Sequence, residues 1–591
     1  MIKVLLRRFI RRKSAVIGLA LITLILAAGL MAQRLAPHDP YAVNVVAKLK
    51  GPSMEYPLGT DQLGRCVFSR LLYGARTCLG TGLLVTLIIT LIGVPIGIVA
   101  GYAGGAFDNL AMRAVDIATT FPSSMLALAL VGIFGPSLHL LILVFIGLWW
   151  APFARLVRSM VIKVKEKEFV LAAESGGSSR LSIIVRHIAP NVLSPVIVYA
   201  TLRVAAVIAH VAGFSFLGLG SQPPTADWGV MLSDARQFLT SAPMLLIWPG
   251  LAIMLSVLSF NMFGEGLSEA LTPDPSEMAK VKEDTPLPSR AMASCPEGAK
   301  AERPHPEGVG AEAPLAAPPR PPAEPGQPAE AIVSIRGLKV YFKSGRSVVK
   351  ALDGVNLDVR RGRITAVVGG SGSGKSVLAL SMLRLIDPPG WQEAGTVRVA
   401  GRDLGSLTEK EMRAFRGRQV AMIFQDPSGS MNPVAKVKKH LFEAARTPYS
   451  QRTEALEDFK VALARVGLND PERVLESYPF ELSGGMCQRV MVAMGLAAKA
   501  DVLIADEPTS NLDLTTQAAI LDEFFRLRDS GLTIVLITHD LGVVAQTADD
   551  VCVIHEGRTI ESGTVERVFL HPAEEFTKTL LASVGASGLA A

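Results

Sequence analysis

The sequence predicts two unlike folds in one chain. These are an α-helical membrane bundle of six transmembrane helices in residues 1–272 and an α/β domain in residues 331–591. The first half contains long stretches without Asp, Glu, Lys or Arg, and the second alternates short apolar strands with helical patterns. Residues 273–330, between them, hold 14 of the chain's 37 prolines. Such a segment cannot bury enough surface to fold, so we expect a Pro-rich, flexible linker.

Six stretches of the first half are long and apolar enough to cross a bilayer, which takes about 20 residues of helix. Gly135-Pro136 divides the longest charge-free stretch into two, because a turn there breaks a helix. The first stretch could also be a cleaved signal peptide, although five more follow it and the orientation works with it retained. The six lie near residues 14–34, 79–102, 117–135, 138–155, 192–216 and 243–264.

Basic residues set the expected orientation, because cytoplasmic loops of membrane proteins are enriched in Lys and Arg. With six spans, the N-terminus and the segment between the fourth and fifth spans lie on the same side, and both are basic. We expect both in the cytoplasm and residues 36–78 and 217–242 outside. The net charge of +6 follows from this topology, so the lipid bilayer is a predicted partner and nucleic acid is not. Five scattered cysteines exclude a disulfide scaffold.

A glycine-rich segment follows the apolar strand at residues 364–368 and opens a helical pattern. It matches G-x-x-x-x-G-K-[ST], whose backbone N–H groups cradle the phosphates of a nucleotide. We therefore predict ATP and Mg²⁺ as cofactors, with the lysine on the β/γ-phosphates and the final serine hydroxyl on Mg²⁺. The segment reads Gly369, Gly370, Ser371, Gly372, Ser373, Gly374, Lys375 and Ser376.

A second apolar strand, residues 502–505, ends in two acids, Asp506 and Glu507. One carboxylate can hold Mg²⁺ and the other can activate the water that attacks the terminal phosphate. We predict Asp506 for the first role and Glu507 for the second. Strand-end acids are common, and the pair gains weight because it follows a phosphate loop in the same predicted sheet.

Between these motifs, residues 482–489 read Leu-Ser-Gly-Gly-Met-Cys-Gln-Arg. This segment resembles the signature motif of ATP-binding cassette (ABC) proteins, and the fold that the resemblance implies is the ABC nucleotide-binding domain. In that family ATP lies between the phosphate loop of one domain and the signature of another. The resemblance therefore implies nucleotide contacts for Ser483, Gly484 and Gly485. Met486 departs from the glutamine that most members carry.

Further segments follow the order and spacing of the same family. The resemblance implies that Phe342, or its neighbour Tyr341, stacks on adenine, and that Gln425 senses Mg²⁺ and the membrane domain. It implies that His539 is the switch histidine, so Glu507, His539 and Gln425 form the predicted catalytic set. Residues 510–513 are similar to the dimer-contact loop. Taken singly, Gln425 and His539 would be ordinary polar residues; six motifs in one register outweigh that interpretation.

The membrane half also carries family motifs. Residues 168–180 and 186–191 resemble the coupling motif of ABC importer permeases, in which a short cytoplasmic helix docks on the ATPase. Residues 57–65 and 215–220 resemble the second permease of dipeptide, oligopeptide and nickel importers, as do the segments at 225–229 and 234–236. The chain is thus similar to a permease fused to its ATPase.

Three details are similar to nickel importers rather than to peptide importers. They are His210-Val211, the stretch Tyr478–Met486, and an end only 19 residues after Pro572. We expect uptake of nickel as a chelate, with dipeptides or oligopeptides as the alternative. A cargo must leave the pathway, so no His/Cys/Asp cluster is expected in residues 1–272. For His210 a helix-packing hydrogen bond is favoured over a metal contact, and Arg203 is expected to face the bundle interior.

An exporter half-transporter also joins six spans to one ATPase, but the coupling motif and spans of about 20–25 residues speak against it. Six spans likewise exclude an ABC ATPase of DNA repair or translation. One phosphate loop and one signature imply a second ABC ATPase chain and a second permease chain, expected as separate partners. The resemblance also implies an extracytoplasmic substrate-binding protein and a location in the bacterial cytoplasmic membrane.

Overall fold

The computed structural model describes residues 9–10, 12–271, 331–345, 347–446, 449–510, 512 and 514–584. The basic residues before position 9 and the predicted linker lie outside these ranges. The chain divides into two compact units, Met1–Glu166 with Ile184–Met278 and Lys167–Ile183 with Ala279–Ala591. The short segment Lys167–Ile183 thus groups with the second half, although the sequence assigns it to the first.

Helices account for most of the first 271 residues. Five of those described are long and apolar enough to cross a membrane, or six if one bent pair forms a single span. The helices are α1 Lys13–Leu30, α2 Ala32–Leu35, α3 Val67–Ala103, α4 Gly105–Thr120, α5 Ser123–Phe134, α6 Leu138–Lys165, α7 Glu168–Ser175, α8 Arg180–Ile183, α9 Ala189–Phe216, α10 Trp228–Ala235 and α11 Met244–Leu271.

The third predicted span, residues 117–135, is wrong as a single helix. The chain instead forms α4 and α5, which meet at an angle of 70°. Pro122 lies at the break, and Phe121 before it has extended dihedrals, φ −86° and ψ 123°. Proline lacks the N–H that a continuing helix needs and pushes the preceding residue out of the α region, so the helix ends there.

Of the other five spans, the first is slightly shorter than the sequence predicts, with 18 residues in α1, and the remaining four are longer. α3 has 37 residues, about 55 Å of helix, and α6 has 28. The apolar pattern marks only the part of a helix that meets lipid, whereas backbone hydrogen bonding continues beyond it. Among the described residues, the spans have 18 residues or at least 28, so none has the expected 20–25, and helix length does not argue against an exporter.

Helices α3 and α6 pack closely along a row of glycines. A Cβ placed on Gly93, Gly97 or Gly101 would lie within 2.8 Å of the Cβ of Phe153, Val157 or Val161, respectively. The glycines recur every four residues and therefore share one face of α3. Small residues at this spacing let two membrane helices approach each other closely.

A buried group of charges joins the two loop regions predicted to face outward. The Arg65 guanidinium lies 2.6 Å from the Asp61 carboxylate and 3.2 Å from that of Asp234. Arg70 lies 3.7 Å from Asp61 and donates to the carbonyl oxygens of Pro40 and Pro224. Buried charges are stable only when they are paired and hydrogen-bonded, so this group fixes the two regions to each other.

The second unit is an α/β domain with two sheets. One described sheet has the order β2-β1-β4-β5, and the other has the order β10-β9-β3-β8-β7-β6. In the latter, β9, β3, β8, β7 and β6 run parallel. The strands are β1 Ala331–Ser344, β2 Ser347–Arg360, β3 Ile364–Val368, β4 Gly390–Val399, β5 Arg402–Asp403, β6 Val420–Ile423, β7 Val502–Asp506, β8 Thr533–Ile537, β9 Asp550–His555 and β10 Arg558–Thr564.

Helices cover one face of the parallel sheet, and helices together with strands of the antiparallel sheet cover the other. Alternate residues of β8 join different apolar clusters: Val535 and Ile537 one, Ile534 and Leu536 the other. Both faces are therefore buried, as parallel sheets require. The helices are α12 Lys375–Ser381, α13 Glu409–Phe415, α14 Val437–Ala444, α15 Arg452–Arg465, α16 Pro471–Glu476, α17 Gly484–Ala497, α18 Leu514–Asp529, α19 Leu541–Thr547, α20 Val565–Leu570 and α21 Glu575–Val584.

Candidate nucleotide site and coupling segment

The loop between β3 and α12 has a backbone that requires glycine. Gly372 and Gly374 have φ angles of 76° and 99°, in the left-handed region. A Cβ on Gly374 would lie 2.5 Å from the carbonyl oxygen of Ala351, and one on Gly369 would lie 2.1 Å from that of Ile554. The predicted phosphate loop therefore has both the conformation and the close backbone approach that its glycines indicate.

The ammonium group of Lys375 folds back into this loop. Its Nζ donates to the carbonyl oxygens of Gly369 and Gly370 at 3.0 and 2.9 Å. Burial lowers the pKa of Lys375, while the negative charges of Glu507 and Asp506 act in the opposite direction. The cation thus lies partly desolvated inside the loop, where an anion would stabilise it.

Asp506, at the end of β7, lies beside the last residue of the loop motif. Burial raises the pKa of its carboxyl group, and a hydrogen bond from the Ser376 hydroxyl and the charge of Lys375 oppose that shift. A hydroxyl and a carboxylate oxygen side by side are ligands that Mg²⁺ prefers. The structure therefore brings together two of the three predicted Mg²⁺ residues.

Glu507 is the centre of a second polar cluster. Its Oε2 accepts a 3.0 Å hydrogen bond from the Gln425 side-chain amide, and its Oε1 lies 2.9 Å from Nδ1 of His539. Glu507 itself has a φ of 48°, a conformation that is costly for a residue with a side chain and that clusters at functional sites. All three predicted catalytic residues meet here, and Gln425 lies on Glu507 rather than on the Ser376–Asp506 pair.

One residue of this site escaped the sequence interpretation. Gln488 is buried in α17, and its side-chain amide donates to the carbonyl oxygens of Glu507, at 3.4 Å, and Pro508. It thereby ties the signature helix to the turn that carries Glu507. Its spacing could have indicated this, because Gln488 lies four residues after Gly484 and therefore on the same face of the signature helix.

The signature segment forms the start of α17. The Ser483 hydroxyl caps the helix by accepting a hydrogen bond from the backbone N–H of Met486 at 3.3 Å. Ser483 and Gly484 are exposed, which leaves them accessible to a second domain. The Met486 side chain packs against the adjoining apolar cluster. The departure from glutamine therefore leaves the cap intact.

The two aromatic candidates for adenine stacking, neighbours on β1, make different contacts. The Tyr341 hydroxyl donates to Asp353 at 3.2 Å, and Phe342 packs against the apolar core. Stacking on adenine stays a prediction for either ring. In the dimer-contact loop, Ser510 donates to the carbonyl oxygen of Glu507 at 3.0 Å, whereas positions 511 and 513 lie outside the described residues.

Helix α7, in the predicted coupling segment, packs against the ATP-binding domain. Leu171 contacts both apolar clusters of the sheet. The Glu168 carboxylate accepts a 3.0 Å hydrogen bond from Ser430, which lies five residues after Gln425. Burial raises the pKa of Glu168; the Ser430 hydrogen bond lowers it and the charge of Asp426 raises it further. The predicted docking of this short helix is therefore found in the structure.

The turn after α7 is held by an arginine of the same unit. The Arg446 side chain donates to the carbonyl oxygen of Gly176 at 2.9 Å and also to that of Arg413. Gly177 has a φ of 75°, and a Cβ on it would lie 2.3 Å from the Arg413 carbonyl oxygen. This position therefore requires glycine, both for its backbone angle and for the approach of the two segments.

In the membrane unit, the prediction for His210 needs correction. Its Nδ1 lies 2.7 Å from the carbonyl oxygen of Ala206, on the same helix, rather than from a neighbouring helix. The neighbouring helix α6 presents aromatic rings instead, with Trp149 5.0 Å from the imidazole, centroid to centroid. Among the described residues, no group of three or more His, Cys, Asp or Glu side chains is placed to hold a metal ion.

Comparison with known families gives three matches along the chain. Residues 352–510 match the ABC transporter family, and residues 93–276 match the family of inner membrane components of binding-protein-dependent transport systems. Residues 1–52 match the N-terminal transmembrane domain of oligopeptide transport permease C.

Three curated relatives are each similar to nearly half of the chain. The nickel transport system permease protein NikC of Escherichia coli K12 is 41% identical over 44% of this chain and 95% of its own length. The dipeptide transport system permease protein DppC of Alkalihalophilus pseudofirmus is 43% identical over 44% and 86%. The probable peptide ABC transporter ATP-binding protein y4tR of Sinorhizobium fredii is 45% identical over 43% and 77%.

Proposed function

This chain belongs to the peptide and nickel family of ABC importers, and it joins a permease to an ATP-hydrolysing domain in one integral membrane protein. On that premise we propose that it imports nickel, as a chelate, across the bacterial cytoplasmic membrane. The observation that carries the proposal is the meeting of Gln425, His539 and Glu507 within a unit that also holds the docked helix α7. Such a unit can join ATP hydrolysis to a change in the membrane half.

The phosphate loop binds the nucleotide in this proposal. The amides of residues 369–374 hold the phosphates, and Lys375 leaves the carbonyl oxygens of Gly369 and Gly370 to meet the β- and γ-phosphates. The Ser376 hydroxyl and the Asp506 carboxylate would hold Mg²⁺, which when bound supplies charge neutralisation between the phosphates. Phe342 offers the ring for adenine.

Glu507 is the proposed general base. Before ATP is hydrolysed, Gln425 and His539 each contact one oxygen of its carboxylate. During hydrolysis the carboxylate takes the proton of the attacking water. Release of Oε2 by Gln425 frees the base. Gln425 lies on the loop that contacts α7 through Ser430, five residues further along the chain. A movement of α7 can therefore displace this loop and change the contact between Gln425 and Glu507.

The active site requires a second domain. Ser483, Gly484 and Gly485 lie at the exposed start of α17, whereas the phosphate loop lies at the end of β3. We propose that each site combines the loop of one ATPase with the signature of another, so that this chain works with separate ATPase and permease chains. The relatives that resemble each half are themselves named as single permease or ATP-binding proteins. A substrate-binding protein delivers the cargo from outside.

Similarity to the nickel permease and the details at His210-Val211 and Met486 support nickel. A dipeptide is the second candidate, because the dipeptide permease is similar to the same extent. Cells that lack this chain should lose high-affinity uptake of labelled nickel and the activity of nickel enzymes, with growth on dipeptides unchanged. Normal nickel uptake together with lost growth on a dipeptide would replace the first proposal by the second.

A further inference from the structure

A cationic side chain lies deep within a membrane-spanning helix. Arg203 lies near the middle of α9, 14 residues after Ala189 and 13 before Phe216, so about 20 Å of this helix lie on each side of it. The hydrocarbon core of a bilayer is about 30 Å thick. A charge at that depth is unfavourable unless it meets water or an opposite charge. Such residues typically mark the route of a substrate or an ion.

Aromatic rings hold this side chain without neutralising it. The guanidinium carbon of Arg203 lies 5.7 Å from the ring centroid of Trp149 and 5.3 Å from that of Tyr199, within the range of cation–π contacts. Its Nε is buried and has no hydrogen-bond partner in the part of the chain that the structure describes. Within the same ranges, no carboxylate lies at ion-pair distance from it. The cation is thus positioned while its donors stay unused.

A second polar group continues the same face. His210 follows Arg203 by seven residues, two helical turns, and its ring packs edge-on against Trp149 at 5.0 Å. The bond between Nδ1 and the Ala206 carbonyl oxygen puts the proton on Nδ1 and leaves the lone pair on Nε2. His210 is exposed on this unit, so the unit's own helices leave its imidazole accessible.

We propose that Arg203, held by Trp149 and Tyr199, binds a carboxylate of the cargo as it crosses the membrane. The cargo is therefore a small molecule with at least one carboxylate, either a nickel chelate of a carboxylic acid or the C-terminus of a short peptide. This inference rests on the proposed import function and specifies its substrate class.

The chemistry of arginine favours this assignment. A planar guanidinium donates two parallel hydrogen bonds to one carboxylate, and rings on which it stacks keep the fork in a single orientation. A single such contact in a wet pathway is weak enough to let the cargo leave. His210 then distinguishes the two sources, because the lone pair of Nε2 can ligate nickel and has no such role for a peptide.

The test uses the complete transporter, reconstituted with its partner chains and binding protein. Uptake is measured for labelled nickel supplied with histidine and for labelled dialanine. Arg203→Met should lower the maximal uptake rate of the transported probe by about tenfold, as expected for the loss of one charge-assisted contact, with an unchanged KM for the loaded binding protein. Arg203→Lys should recover part of the rate. His210→Gln should lower uptake of nickel only.

Arg155→Met is the matched control, since Arg155 is already paired with Asp116 at 2.6 Å, and its uptake should stay near that of the unchanged protein. Unchanged uptake in Arg203→Met overturns the inference. So does a loss of co-purifying partner permease in that variant, which would assign Arg203 to an ion pair between chains. Failure of the unchanged protein to import either probe counts against the proposed function instead.

Discussion

In the ATP-binding unit, the predicted site is assembled from polar side chains that are far apart in sequence. In the membrane unit, by contrast, Arg203 and His210 of α9 have no distant polar partner among the described residues. Glu507 contacts Gln425 and His539, which are 82 and 32 residues away. His210 donates to a carbonyl oxygen of its own helix four residues back and packs against Trp149. Among the described residues, the polar contacts of Arg203 are with aromatic rings. Parallel strands end at a common edge, so strand-end motifs converge there. A single membrane helix offers no such edge, and we infer that Arg203 and His210 serve another chain or the cargo.

The largest effect is expected when the polar cluster of Glu507, Gln425 and His539 loses its central carboxylate. Glu507→Gln should keep ATP binding but lower ATP hydrolysis in the full complex by at least about a hundredfold, because the base can no longer accept a proton. Uptake should stop with it. Both are measured on the reconstituted transporter, and Glu566→Gln, on the surface of the same unit, is the control. Near-normal hydrolysis in Glu507→Gln would remove Glu507 as the base.

The next effect tests the coupling turn. Gly177→Ala places a Cβ 2.3 Å from the Arg413 carbonyl oxygen at a φ of 75°, so docking of α7 should weaken by about 1–3 kcal/mol. Uptake per ATP hydrolysed should then fall. Gly176→Ala is the matched control, because its Cβ would have only an ordinary contact at 3.5 Å. Equal coupling in both variants would show that the turn does not transmit the signal.

The membrane unit is tested through its glycine row. Gly97→Ala puts a Cβ 2.6 Å from the Ala154 carbonyl oxygen, and overpacking of this kind costs about 1–3 kcal/mol. We expect earlier thermal unfolding of the purified complex. Gly80→Ala, on the same helix with nothing within 4 Å of the new Cβ, should be neutral or stabilising. Equal losses in both variants would contradict close packing of α3 on α6.

A smaller, pH-dependent effect belongs to Glu168. Burial raises the pKa of this carboxyl above its usual value, so the docked state holds the proton more tightly than the undocked state. Docking should weaken as the pH rises from the usual glutamate value through the raised one. Glu168→Gln should remove this dependence while keeping a partner for Ser430. The measurement is uptake per ATP hydrolysed at a series of pH values. If this ratio still changes with pH in Glu168→Gln, the pH dependence belongs to another group.

The smallest effect is expected from the linker. Deleting part of residues 281–325, which lie outside the described residues, should leave uptake largely intact. A Pro-rich segment of this composition acts as a tether that raises effective concentration. Uptake and the amount of protein in the membrane are measured together. Loss of uptake at normal protein amounts would give the segment a role beyond tethering.

The sequence by itself determined both fold classes, the phosphate loop and the strand-end acids Asp506 and Glu507. These depend on local patterns: charge-free stretches, strands that end in acids, and glycines where the backbone must bend. Gln425, His539 and the docking helix near Glu168 were predicted instead from resemblance to a known family, whose motifs recur here in the same order and spacing. Pattern and resemblance together predicted most of the α/β site. Its residues meet because the strand ends of one parallel sheet share an edge.

Only the tertiary structure decided how the remaining residues are used. It divided the third span at Pro122, extended α3 beyond its apolar stretch, and placed Gln488 under the Glu507 turn. It also revealed that Arg446 holds Gly176 and that Arg203 lies between two rings. Each of these depends on which residues face each other across elements distant in the chain. Hydropathy and motif spacing indicate which parts of a segment are exposed to solvent or lipid and which are functional. They do not identify the residues that pack against it.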